Sequence, residues 1–117
     1  MRVLVTGSTD FSDMDAVHAY VDSLPDGTTV IMGIAQGVED VAAARARERG
    51  LYVARFPPDV ARYGRDAVSV RNERLFDLAE RTTFFWNGES DGTATLVDLA
   101  CKRAKSFVIH SDKAVTA

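Results

Sequence analysis

The amino-terminal stretch reads Arg2-Val3-Leu4-Val5-Thr6-Gly7-Ser8-Thr9-Asp10. A short β-branched run followed by glycine and polar residues is typical of a buried strand that ends in a loop. Beyond it, Ser12 with Asp15 three residues later resembles a capping box, and apolar residues then recur at helical spacing as far as Pro25. This stretch therefore predicts a strand, a polar loop and a helix, in that order.

The same order recurs along the chain. Further strands are predicted at residues 28–32, 51–56, 82–86 and 106–110, and further helices at residues 38–49, 69–80 and 93–104. Residues 59–68 fit neither the helical nor the strand periodicity of apolar residues and stay unassigned. Strands that alternate with helices, without an internal repeat, predict an α/β fold: a Rossmann-like doubly wound parallel five-stranded sheet with helices on both faces.

Length and cysteine usage limit the organisation and the location of the protein. A chain of 117 residues suits one domain, predicted at residues 1–112, with residues 113–117 as a frayed C-terminal tail. Cys101 is the only cysteine, so this chain forms no intramolecular disulfide and no multi-cysteine zinc site. The apolar run before Gly7 is too short for a secretory signal, and no stretch approaches the roughly 18 apolar residues of a membrane span. We expect a cytoplasmic protein without a membrane partner.

Charge and motif content exclude several functional classes. A net charge of −3 provides no general basic surface for nucleic acid, so a nucleic-acid partner is not expected. The dinucleotide fingerprint and the lysine-bearing P-loop are both missing, which argues against hydride transfer and ATP hydrolysis. His18 and His110 stand apart from each other and from Cys101. No metal site and no cofactor are therefore predicted.

The loop after the fourth predicted strand, which we call loop four, comprises residues 88–93 and carries the clearest candidate site. Gly88 and Gly92 let a ligand approach the backbone, Ser90 and Thr93 offer hydroxyl groups, and Asp91 lies between them. Because the loop opens into a helix, its amide groups and the helix dipole favour an anion such as phosphate. The alternative is an ordinary glycine turn with Asp91 or Thr93 as the helix N-cap.

Two further loops have a similar character. Loop one, residues 7–10, and loop two, residues 33–37, also lie between a predicted strand and a helix. Their candidate ligand-binding residues are Gly7, Ser8, Thr9, Gly33, Gln36 and Gly37. In parallel sheets, ligands bind beyond the carboxyl ends of the strands, at the point where strand order reverses. If the first strand is central, loops one and four flank that crevice.

Three charged or polar side chains complete the candidate site. Arg71 and Asn72 lie near the start of the third long helix, where a guanidinium can clamp a phosphate, although a solvated surface arginine is the plainer interpretation. Glu39, in the first turn of the second helix, can accept hydrogen bonds from ribose or act as a base, although the helix dipole alone favours an acid there. Catalytic residues are not assigned; Glu39 and Asp91 are the candidates. Cys101 is expected to be buried.

The motifs in this order resemble the YspA-like, cpYpsA-related SLOG family, in a superfamily that also contains the LOG phosphoribohydrolases and relatives of DprA. The resemblance extends from Val3 to Ile109 and rests on Val5-Thr6-Gly7-Ser8 with Asp10, Gly33-x-Ala35-x-Gly37, Pro58 with Tyr63-Gly64-Arg65, Arg71-Asn72 with Leu75, and Gly88-x-Ser90-x-Gly92-Thr93. It implies a Rossmann-like fold with a nucleotide pocket formed by the glycine loops. Related proteins often form dimers, so a homodimer or higher homo-oligomer is left open.

Departures from the family bear on catalysis. Leu96 stands where the LOG motif has its catalytic Glu. Thr9, Met32, Ile34 and Glu39 replace an Arg, a His, a Gly and an Asp that are usual in this branch. The preferred hypothesis is therefore a protein that senses or sequesters a nucleotide, ADP-ribose or NAD-derived signal. The alternatives are a LOG-like hydrolase of the N-glycosidic bond and a protein-interaction module with a degenerate pocket.

Overall fold

A computed structural model describes residues 1–112 and shows an α/β fold built on one sheet of five parallel strands. The strands are β1 (Arg2–Gly7), β2 (Thr29–Met32), β3 (Tyr52–Arg55), β4 (Arg81–Phe85) and β5 (Phe107–His110). The helices are α1 (Met14–Asp22), α2 (Val38–Glu48), α3 (Val60–Tyr63), α4 (Ala67–Leu78) and α5 (Asp91–Lys102), with a 3₁₀ turn at Gly64–Asp66. The predicted Rossmann-like class is confirmed, and the predicted tail, residues 113–117, lies outside the described residues.

The strand order is β3-β2-β1-β4-β5, and every neighbouring pair is parallel. Strand β1 is central, because it pairs with β2 on one side and with β4 on the other. The chain first builds the sheet outward from β1 to β3 and then returns to the other side of β1 to form β4. Strand order thus reverses between β1 and β4, and the loops that follow these two strands flank the crevice there, as predicted.

Alternate residues of the strands pack against helices on opposite faces of the sheet. On one face, Val3 and Val5 of β1 are buried with the apolar side of α1 and α2, including Ala42. On the other face, Leu4 and Phe84 pack against α4 and α5. The continuous apolar character of the central strands follows from this burial on both faces.

Two helices begin differently from the sequence prediction. The N-cap of α1 is Asp13, whose carboxylate accepts from the Ala16 amide, whereas the amide and hydroxyl of Ser12 donate to Asp112. The predicted Ser12 capping box is therefore wrong. The N-cap of α5 is Ser90, whose hydroxyl accepts from the Thr93 amide. Neither Asp91 nor Thr93 caps this helix, because the helix begins two residues earlier than predicted.

Two other observations concern the remaining helices. Cys101 is exposed near the end of α5, so its predicted burial is wrong: the apolar neighbours along the chain turn to the sheet, and this position does not. Within residues 1–112, none of the helices combines the length and the apolar composition that a membrane crossing requires.

Candidate functional site

A pocket of about 190 Å³ lies at the carboxyl end of the sheet, beside the β1–β4 reversal. We call it the switch-point pocket. Six residues singled out from the sequence line it: Glu39, Arg71, Asn72, Ser90, Gly92 and Thr93. They come from the starts of α2 and α5 and from α4, which are far apart in the sequence. The fold therefore brings Glu39, Arg71 and three residues of loop four to one cavity.

Glu39 connects loop two to the first turn of α2 through hydrogen bonds. Its side chain is buried, and its two carboxylate oxygens accept from the amides of Gly33 at 3.1 Å and Ala35 at 2.8 Å. These bonds bend the loop back over the start of the helix. Because both oxygens accept hydrogen bonds from backbone amides, the geometry favours a positioning role for Glu39 over the role of a base.

Arg71 is held in a fixed orientation at the wall of the pocket. Its Nε donates to Oδ1 of Asn72 at 2.8 Å, and its Nη1 donates to the Phe56 carbonyl at 3.1 Å. None of the hydrogen bonds among the described residues uses Nη2 of Arg71. Burial lowers the pKa of Arg71, and the nearby Glu39 carboxylate opposes that shift. A half-buried guanidinium with a free donor edge is suited to an anionic ligand.

Gly33 is required by the position of Arg71. A Cβ at residue 33 would lie 2.7 Å from Nη1 of Arg71 and 3.2 Å from Oε1 of Glu39. Both groups are held by hydrogen bonds, so neither can retreat freely. Gly33 therefore belongs beside the pocket as the position that admits the arginine, although it does not line the cavity.

Loop four is organised by Asn87, the residue just before it. The buried Asn87 accepts at Oδ1 from the amides of Glu89 and Ser90, and its Nδ2 donates to Asp10 of loop one at 2.8 Å. Trp86 adds a bond from Nε1 to the Ser90 carbonyl. These hydrogen bonds occupy the amides of Glu89 and Ser90, which belong to the loop that was expected to bind phosphate through its amides. Among the described residues, the amides of Asp91 and Gly92 keep no hydrogen-bond partner.

Loop one packs closely and contributes no wall to the switch-point pocket. A Cβ on Gly7 would lie 2.4 Å from the Phe85 carbonyl oxygen, and one on Gly37 would lie 2.9 Å from the Thr9 carbonyl oxygen. Ser8 is buried, and its amide donates to the Phe85 carbonyl. The contacts of Gly7, Ser8 and Gly37 thus join β1 to β4 and loop one to loop two.

The other predicted residues lie outside the cavity. Thr9, Gln36 and Gly88 are exposed and do not line it. Asp91, a candidate catalytic residue, is also exposed, in the first turn of α5, where its negative charge suits the positive end of the helix dipole.

Other pocket residues were not among the predicted site residues, although Thr6, Ala35, Leu75 and Leu96 belong to the positions compared with the family motifs. The full set of these other residues is Leu4, Thr6, Ala35, Val68, Leu75 and Leu96. Val68, Arg71, Asn72 and Leu75 follow the i, i+3, i+4, i+7 spacing of one helix face. Once Arg71 was chosen as a candidate, this spacing was a signal that pointed to Val68 and Leu75. Asn87 gave a weaker signal, as the first polar residue after a buried strand.

Within residues 1–112, no group of three or more His, Cys, Asp or Glu side chains comes together in a way that could hold a metal ion.

Comparison with known proteins identifies the family. The model of the YAcAr family, described as the YspA, cpYpsA-related SLOG family, matches residues 1–63 of the 117. No curated protein and no solved structure matches the chain. The match contains loops one and two and ends before Arg71 and loop four. Since it spans more than half of the sequence, this chain belongs to the YspA, cpYpsA-related SLOG family.

Proposed function

We propose that the protein binds a small nucleotide-derived ligand in the switch-point pocket and acts as a sensor or a sequestering protein. The ligand class is a nucleotide, ADP-ribose or another NAD-derived signal. The observation that carries the proposal is the orientation of Arg71, which Asn72 and the Phe56 carbonyl hold at the pocket wall with Nη2 free. Phosphate, like carboxylate, has the geometry that a planar guanidinium fork matches.

The rest of the pocket suits a sugar beside the phosphate. Leu4, Val68 and Leu75 give apolar walls, and Thr6, Ser90 and Thr93 place hydroxyl groups among them. A volume of about 190 Å³ is smaller than the roughly 300–1,000 Å³ that encloses a drug-sized ligand. The pocket therefore suits one part of a nucleotide, with the remainder lying over the loops at the sheet edge.

Two observations favour binding without turnover. Leu96, which stands at the position of the LOG catalytic Glu, lines the pocket with an apolar side chain. Glu39 is the only carboxylate of the cavity wall formed by the described residues, and its oxygens accept from the amides of Gly33 and Ala35. A general base must reach the proton that it removes, whereas this carboxylate is held against the backbone of loop two.

Thermal unfolding in the presence of AMP, GMP, ADP, ADP-ribose, NAD and cyclic dinucleotides tests the proposal. A ligand at about 100 times its dissociation constant adds roughly 2.7 kcal/mol to the free energy of unfolding. We expect a rise in melting temperature with at least one nucleotide, and mass spectrometry should recover that nucleotide intact. Release of the free base would instead identify a hydrolase. The absence of any shift would reject the proposal in favour of an interaction module.

A further inference from the structure

A second cavity lies next to the switch-point pocket, where α3 and the start of α4 meet the end of β3. Its volume is about 100 Å³, and its wall contains Arg62, Arg71 and Arg74. We call it the arginine cavity. Arg71 also lines the switch-point pocket, so one guanidinium belongs to both cavities.

Among the described residues, the three arginines of this cavity form no ion pair with a carboxylate. Seven ion pairs join described residues, and their cations are Arg2, Arg45, Arg49, Arg55, Lys102 and Arg103. None of the three arginines of the cavity takes part in these pairs. One carboxylate, Asp59, lies in the wall, and its Oδ1 accepts from the backbone amide of Arg62 as the N-cap of α3.

This concentration of positive charge is unusual for the chain. The protein carries a net charge of −3, yet three arginines line one concave surface that contains a single carboxylate. Like charges on one surface repel one another, and an anion bound between them offsets that repulsion. The Arg62 guanidinium is also placed over the Tyr63 ring, 5.2 Å from its centroid, which restricts its orientation.

The size of the cavity limits the anion. A volume of about 100 Å³ is the share of roughly three water molecules at about 30 Å³ each. This is room for one phosphate group and too little for a base or a sugar phosphate. A larger ligand can therefore place only a phosphate there, and its other parts must lie elsewhere.

We propose that the arginine cavity binds a second phosphate of the ligand whose first phosphate lies in the switch-point pocket. The ligand class then narrows to nucleotides with two linked phosphates: nucleoside diphosphates or dinucleotides joined through a diphosphate. This inference rests on the proposed function, since it assigns the first phosphate to the same pocket. Two linked phosphates share one bridging oxygen, so Arg71, at the wall of both cavities, can contact both groups.

Titration calorimetry with two matched pairs, AMP with ADP and GMP with GDP, tests the inference. For at least one nucleoside, we expect the wild-type protein to bind the diphosphate about tenfold more tightly than the monophosphate, as charge-assisted hydrogen bonds to a second phosphate require. The double variant Arg62→Gln/Arg74→Gln should lose most of that ratio. Equal affinities in the wild type, or an unchanged ratio in the variant, would overturn the inference.

A matched control removes the same charge elsewhere. Arg47 on α2 and Arg81 at the start of β4 are exposed and belong to none of the seven ion pairs, so Arg47→Gln/Arg81→Gln should keep the ratio. The wild type gives an independent readout: the ratio should fall as salt rises from about 50 to 300 mM, because salt screens exposed charges. A ratio that does not respond to salt would count against the arginines.

The outcomes separate the two proposals. Binding of a monophosphate without a gain for the diphosphate would refute the arginine cavity and leave the switch-point pocket intact. The absence of binding by these four nucleotides and by ADP-ribose, NAD and cyclic dinucleotides would refute both.

Discussion

Helices cover both faces of the sheet, but their packing differs between the two faces. On the face of α1 and α2, small residues such as Ala42, Ala43 and Ala46 are fully buried, and the helices pack closely on the strands. On the face of α4 and α5, a cavity of about 220 Å³ separates the two helices and the switch-point pocket opens beside it. The first face, which we call closed, is packed tightly around α2 and has a cavity of about 300 Å³ farther out, between Tyr20 and the strands β4 and β5. The second face, which we call open, keeps space for a ligand beside the reversal of strand order.

Some arginines follow the same division. On the closed face, Arg45 pairs with Asp22 at 2.8 Å, and Arg49 donates to the carbonyls of Val21 and Leu24. These arginines tie α1 to α2. On the open face, Arg71 and Arg74 have no carboxylate partner among the described residues. Ion pairing alone does not distinguish the two faces, because Arg103, the C-cap of α5, pairs with Asp77 of α4 on the open face.

The largest effect is expected at loop one, on the closed side. Gly7→Ala places a Cβ 2.4 Å from the Phe85 carbonyl oxygen and 2.9 Å from Cγ2 of Val38. Both atoms belong to tightly packed elements, so the free energy of unfolding should fall by about 3 kcal/mol, as overpacked core variants do. Urea unfolding measures it. A loss below about 1 kcal/mol would show that β1 and β4 can separate here and that the closed face is looser than described.

A smaller loss is expected for Glu39→Gln. The amide side chain keeps one acceptor oxygen, so one of the amides of Gly33 and Ala35 loses its partner, and Arg71 loses a negative neighbour. Unfolding in urea should show a loss of about 2 kcal/mol, which is typical of a buried donor left unpaired. Asp15→Asn is the matched control, because Asp15 is an exposed acid in the first turn of α1 and belongs to none of the ion pairs among the described residues. Equal losses for the two variants would remove the special role of Glu39.

Gly92→Ala should separate stability from binding on the open face. The nearest atom to a Cβ at residue 92 is Oγ of Ser90 at 4.0 Å, and the residue lies inside α5. Alanine should therefore raise the free energy of unfolding by about 0.5 kcal/mol, since glycine weakens helices. The methyl group projects where Gly92 lines the pocket, so calorimetry should show weaker nucleotide binding. Unchanged binding in this folded variant would place the ligand away from α5.

The smallest effect is expected for Arg45→Gln, which breaks an exposed pair on the closed face. The Arg45 guanidinium lowers the pKa of Asp22 through its hydrogen bond, so the pair stabilises the fold above the usual pKa of an aspartate. That contribution is lost as pH falls through the lowered pKa. Melting temperatures of the wild type and the variant should differ slightly at neutral pH and converge in acid. A difference that persists in acid would assign the effect to packing of the arginine stem.

Much of the sheet could be predicted from the sequence because its strands are buried on both faces. The runs at residues 2–6 and 82–86 are rich in β-branched or aromatic residues, and Gly7 and Gly88 follow them within two positions. Helix starts were harder, since Asp13 and Ser90 compete with neighbouring polar residues that cap equally well in isolation. Residues 59–68 showed no helical periodicity of apolar residues, because α3 has only four residues and buries none of them.

The candidate site was predicted only in part. Arg71 and Glu39 were found because charged residues near helix starts are recognisable in the sequence. The role of each glycine could not be predicted. Gly7 allows close packing of two strands, whereas Gly92 lines a cavity, and this difference depends on which atoms the fold places next to each glycine. Asn87 was missed for the same reason: its partners, Asp10 and the loop-four amides, are defined by the fold.

Calorimetric titration of the wild type, Arg71→Gln and Arg47→Gln with the nucleotide that gives the largest thermal shift tests the switch-point pocket most directly. We expect Arg71→Gln to weaken binding at least about tenfold, since one charge-assisted contact to phosphate is lost, while Arg47→Gln binds like the wild type. Equal affinity of Arg71→Gln and the wild type would contradict the proposed site and place the ligand elsewhere on the protein.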